Sequence, residues 1–268
     1  MNNKTFQMWQ LLMNMRDMVT IITILMISFF STSLIFAADE VERARQVLVE
    51  IDDLWRSDSS QSTVSMKVIT AHYSRQVTME NWTSGKDKSL VKILSPRKEK
   101  GTVTLKSGNA IYTYLPKTDR TIRLTSSMMM GSWMGSHFTN DDLVKDSRLS
   151  DDYVPRIVFE GARDGENIIE FALAPKPEAP VVWGRIVIVV LADGFLPITS
   201  SYYDEDMVLA RTMIFSDIKE MGGRLLPATM RVIPADEVGE YTELTYLSIS
   251  FGKKLDDSFF SLQQLRRR

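Results

Sequence analysis

The chain has 268 residues, 44% apolar and 25% charged, and 32 Lys and Arg against 34 Asp and Glu leave a formal net charge of −2. That length supports a sizeable core, and the even balance offers no bulk attraction to nucleic acid or to anionic lipid. Cysteine is absent and histidine occurs only at His72 and His137, which excludes disulfides, thiolate metal sites, cysteine nucleophiles, a lipidated cysteine and His-rich metal centres.

The first predicted element is a leader. Val19 to Ala38 is apolar and uncharged, exits through Ala37-Ala38, and is followed at once by Asp39-Glu40. Small residues before an acidic start suit a signal peptidase, so residues 1–38 read as a signal peptide cleaved near Ala37 or Ala38, with an uncleaved membrane anchor as the competing reading. Met13 or Met15 offers an alternative translation start. Residues 39–268 are then expected as a single exported, periplasmic domain.

From Asp39 to Arg56, Val41, Ala44, Val47, Leu48, Ile51, Leu54 and Trp55 recur at steps of three and four, the stripe of an amphipathic helix. Asp39 is placed to cap it, and Ser57-Asp58-Ser59-Ser60 to stop it. The period then changes to two. Val64/Met66/Val68 and Val77/Met79 alternate with polar residues around the turn at His72 to Arg75, a predicted hairpin. Strand-like runs follow at 90–94, 102–106, 110–115, 121–125, 156–160, 167–173, 183–191, 198–203, 210–215, 226–233 and 243–251, punctuated by Pro, Gly and Asp-Gly signals. Roughly eleven strands at this spacing predict a large antiparallel sheet.

Residues 126–153 break the pattern as an insertion between the two halves of that sheet. Met128, Met129, Met130, Trp133 and Met134 crowd together beside Gly131 and Gly135, and Thr139 is placed to cap a short helix through Asp141, Asp142, Leu143 and Val144. Methionine is flexible and polarisable, so the segment serves equally as a plug of core side chains or as an adaptable lid.

The run Ser126 to Leu143, SSMMMGSWMGSHFTNDDL, resembles the signature of the bacterial outer membrane lipoprotein-sorting protein family. Gly85 to Leu90, Ile93 to Pro96 with Lys98 to Thr102, Tyr112 to Lys117 with Arg120 to Ile122, and the helix ending Ile51 to Arg56 extend the likeness through most of the mature chain. That family is similar in fold to the periplasmic lipoprotein carrier and its outer-membrane receptor. The resemblance implies a mainly β (α+β) fold: a strongly curved antiparallel sheet forming an incomplete barrel, covered by an N-terminal helix and a central Met-rich lid over an apolar cavity. It implies a carrier or receptor for acylated molecules, with lipoprotein or acylated lipid as cargo, an inner-membrane exporter or outer-membrane acceptor as partner, and no nucleic acid. It assigns no catalytic or ligand residue.

Alternation and the pliable insertion together nominate Met128, Met129, Met130, Trp133, Met134, Val64, Met66, Val77, Met79, Ile93 and Ile111 as ligand-facing, the strand residues being more often ordinary core and the insertion the better candidate for contact. No cofactor, metal or catalytic residue is expected. Gly131-Ser132-Trp133-Met134-Gly135 lacks the centred serine of a nucleophile elbow, and His137 near Ser132, Ser136, Asp141 and Asp142 is proximity in sequence alone. A lipid-sensing regulatory module is the rival reading, and an envelope hydrolase the lesser one.

Overall fold

The computed structural model describes residues 40–108, 110–140, 142, 149–179 and 181–265. The predicted leader, the Asp39 cap, and Asp141, Leu143 and Val144 of the short predicted helix lie outside them. The chain divides into two compact units, Met1–Arg43 and Ala44–Arg268, and every strand belongs to the second. Among the described residues no helix is long and apolar enough to cross a membrane.

A helix, α1, covers residues 40–53 and ends in turns over 54–56, where Ser57 takes a positive φ of 52°. Ala44, Val47, Leu48 and Ile51, the middle of the predicted stripe, are buried. Thirteen strands follow: β1 (Ser59–Ile69), β2 (Ser74–Ser84), β3 (Lys88–Ser95), β4 (Val103–Ser107), β5 (Ala110–Leu115), β6 (Arg120–Arg123), β7 (Tyr153–Arg163), β8 (Glu166–Pro175), β9 (Arg185–Leu191), β10 (Pro197–Tyr203), β11 (Leu209–Met221), β12 (Arg224–Pro234) and β13 (Tyr241–Phe251). Every predicted run overlaps one of them. The hairpin's two runs and the eleven that follow it make thirteen, so the expected total of roughly eleven undercounts the runs themselves, and even the short β4 and β6 pair along their whole length with a neighbour. A helical turn, α2 (Leu149–Asp152), precedes β7, and a second, α3 (Leu262–Leu265), closes the described chain.

All thirteen strands form one antiparallel sheet, ordered β6-β5-β4-β3-β2-β1-β13-β12-β11-β10-β9-β8-β7. It is open, because β6 and β7 stand at its two edges. Bulges at Thr63/Val64, Thr78/Met79, Ile157/Phe159, Pro197/Thr199 and Tyr202/Tyr203 interrupt the register, and each bends its strand and adds twist, giving the incomplete-barrel curvature. Asp164-Gly165 and Gly222-Gly223 are two-residue hairpin loops with φ positive at both positions, the handedness that matches strand twist.

The register gathers one apolar face across most of the sheet. Ile169, Phe171, Leu173, Ile186, Ile188 and Val190 continue through Met213 and Val232 to Val64, Met66, Val77, Met79 and Ile93. Residues 44–51 of α1, with Phe138 and Leu149, pack on the β7–β12 half, and Trp133 with Met134 pack on the β1–β3 half. Leu244 of β13 touches both groups. The opposite face is covered over β3–β5 by the tail, where Phe260 and Leu265 bury against Leu90, Val103, Leu105 and Tyr114.

Candidate functional site

Two segments outside the sheet therefore lie on one face of it, and a cavity of about 110 Å³ remains there. Its walls come from the end of α1 and the turn after it (Ile51, Asp52, Trp55) and from Asn81, Ser200, Met230 and Tyr246 of the sheet, with Leu149 of α2 contributing. Trp55 is central. Its ring stacks on Phe215 at 5.8 Å and Tyr246 at 6.4 Å, and its indole N–H donates to the Pro227 carbonyl at 3.2 Å. That contact fills the seam where β12 and β13 exchange only four register pairs, leaving residues 224–228 of β12 without a β13 partner.

Of the nominated residues, Val64, Met66, Val77, Met79, Ile93 and Trp133 come together in one buried cluster, with Met134 packed against it. Ile111 is buried but stands apart. It pairs with Lys106, whose ammonium donates to the Lys86 carbonyl at 2.9 Å, in a polar sector with Ser60, Ser62, Thr83 and Thr104. Met128 and Met130 are exposed, and Met129 is half-buried. The methionines crowded in sequence are thus split between core and surface, because the turns at Ser126–Met128 and Trp133–Gly135 point them in different directions.

The insertion is held by side chains more than by backbone ladders. Arg75 donates to the Met134 carbonyl and Tyr73 to that of Gly135. Gly135 has φ 66°, and a Cβ there would approach the Tyr73 hydroxyl to 3.1 Å, so only glycine fits without strain. The His137 N–H donates to Thr242 Oγ1 at 3.0 Å. Arg211 makes a bidentate pair with Asp142 at 2.7 and 2.6 Å. None of these partners announces itself in the sequence, because each lies 59 or more positions from the insertion residue it holds.

The serine–histidine set suggested by proximity is not assembled. Ser132 donates to the Ser136 carbonyl, Ser136 to the Trp133 carbonyl, and Asp142 is engaged by Arg211. His137 Nδ1 meets Thr242 Oγ1 at 2.8 Å, and Nε2 faces Glu240 and Glu237, each at 3.3 Å. The Glu240 carboxyl is held below its ordinary 4.5, first by the Ala71 N–H that donates to it at 2.8 Å and then by His137, with burial opposing.

The same architecture occurs in solved structures. A DUF1329 family protein from Desulfovibrio piger superposes with a TM-score of 0.75 at 23% identity, covering 85% of this chain and 99% of its own. A putative outer membrane lipoprotein-sorting protein domain from Vibrio parahaemolyticus gives 0.72 at 21%, covering 85% and 100%. A LolA superfamily protein from Nitrosomonas europaea gives 0.70 at 21%, covering 82% and 98%. A family model described as "Uncharacterized protein" matches residues 85–267, more than half of the chain. The chain belongs to that family. Its likeness to the three solved structures, each under 25% identical, is one of fold. A search of the curated proteins found no match. The family match runs from the β2–β3 turn through the insertion to the tail and takes in β3 to β13, so it spans most of the elements that build the covered face.

Proposed function

We propose that this chain is a non-enzymatic, periplasmic carrier- or receptor-type protein that shelters the acyl chains of lipoproteins or lipids on the covered face of its sheet. An acyl chain gains about 0.8 kcal/mol per buried CH₂, so one of about sixteen carbons resists leaving a membrane by on the order of 10 kcal/mol. A carrier must offer nearly equal apolar shelter, and one continuous apolar face supplies it without chemistry.

The observation that carries this reading is that both covers of that face, α1 and the insertion, are held by side-chain packing and polar ties and contribute no strand to the sheet. The cavity of about 110 Å³ is small beside the ~300–1,000 Å³ of ligand pockets. Uptake therefore requires a cover to swing off, with Trp133 and Met134 exchanging contacts with Val64, Met66 and Met79 for contacts with cargo. Exporter or acceptor partners belong to the same reading.

Native mass spectrometry of the purified protein, followed by lipid extraction, tests it. Acyl-bearing molecules are expected to copurify, and delipidated protein is expected to take up acyl lipid from vesicles. The substitution Met230→Trp fills the cavity floor and is expected to lower uptake at least tenfold while circular dichroism is unchanged. Protein that carries no lipid and takes none up overturns the proposal.

A further inference from the structure

His137, Glu237 and Glu240 place one imidazole nitrogen and two carboxylate oxygens within 4.8 Å of one another. His137 comes from the insertion and both glutamates from the turn between β12 and β13, where the Glu240 N–H bonds the Glu237 carbonyl at 3.2 Å and so brings the two side chains to one side. Each carboxylate lies 3.3 Å from the same Nε2. One ring nitrogen offers a single in-plane lone pair or a single proton, so it cannot make two well-aligned hydrogen bonds in the same direction. Two carboxylates converging on one point also repel unless a proton or a metal cation lies between them.

We propose that His137, Glu237 and Glu240 form a binding site for a divalent transition-metal cation, with zinc the best match to the donor set. Ligand bonds of about 2.0–2.1 Å in a tetrahedron set the donors roughly 3.3–3.4 Å apart, the separation found from Nε2 to each carboxylate. The other ring nitrogen is 2.8 Å from the buried Thr242 hydroxyl, and the second Glu240 oxygen accepts the Ala71 N–H at 2.8 Å. Those outer partners orient the ligands in advance, as they do around protein-bound zinc. Glu237 is half exposed, so water has access to the fourth position. The cation would fasten the insertion to the β12–β13 turn, and the site stands whether or not the covered face takes lipid.

The test uses the full chain, freed of any affinity tag and stripped with chelator, titrated with zinc by calorimetry and with cobalt(II) by visible absorption. One equivalent of zinc is expected to bind, with a tetrahedral cobalt spectrum. His137→Gln and Glu237→Gln are each expected to abolish that equivalent, and because Glu237 sits on an exposed turn its variant keeps the fold. Thr242→Val is expected to weaken binding roughly 10- to 100-fold, and His72→Ala to leave it unchanged. Absence of stoichiometric binding, or binding that Glu237→Gln and His137→Gln leave intact, overturns the assignment.

Discussion

Arg211 packs against the rings of Trp183 and Tyr202, 4.7 and 4.5 Å from their centroids, and its guanidinium meets both oxygens of Asp142. The aromatic faces and the carboxylate replace the water this cation gives up on burial. Removing one member of such a pair leaves the other charged and buried, which costs about 3–5 kcal/mol. Asp142→Ala is therefore expected to lower unfolding stability by that amount in denaturant titration, and a change under about 1 kcal/mol would mean that the pair is solvated. Sequence is least informative at this scale. Asp142 reads as part of a short helix, whereas its partner lies 69 residues away on β11. Likewise Glu237 and Glu240 carry no signal that ties them to His137. The buried positions of β1–β3 are legible because alternation names them one by one. Met128 and Met130 are not, because a run of methionines says nothing about which way each turn points.

Helix α1 is readable from its stripe, and its buried apolar residues, Ala44, Val47, Leu48 and Ile51, all belong to that stripe. Val41, at the stripe's first position, is exposed. The strands are readable from period two and their turns. The tail escapes such a reading, although Leu255, Phe259, Phe260 and Leu265 recur at intervals that can form one apolar side. A pair of short turns is too brief to give a period, and only the partner surface on β3–β5 makes those residues a unit. That surface makes the tail part of the core. Leu265 is almost wholly buried against the outer face, so Leu265→Ala is expected to cost about 2–5 kcal/mol, measured by urea unfolding. A loss below about 0.5 kcal/mol would show the tail to be peripheral. The edge strands also carry features that discourage a further strand: β6 is four residues long with Arg120 and Arg123, and β7, although eleven residues long, carries Pro155 with Arg156, Glu160 and Arg163.

Across the whole molecule the strands run as two meanders, β1 to β6 and β7 to β13, in which each strand pairs with its sequence neighbours, and β1 joins β13 through ten register pairs. The order of antiparallel neighbours follows from short turns, but this one long-range pairing has no local signature. The adjoining β12–β13 seam is thin, with pairing confined to 229–232 against 242–245 and Trp55 filling the remainder. Backbone groups without a ladder partner open more readily. Hydrogen exchange read by mass spectrometry is expected to find the β13-facing amides among residues 224–226 and 228 (Pro227 has none) exchanging faster than those of 229–232, and equal protection along β12 would refute the seam. The β1–β13 junction also has a consequence in time. Strands near opposite ends of the chain must meet before the sheet is one body, so a polypeptide delivered N-terminus first holds two separate ribbons until residues 241–251 arrive. Its greasy surface then stays divided between halves that cannot yet cover each other, and anything that keeps the last strand back, a pore or a chaperone, keeps the whole molecule unfinished.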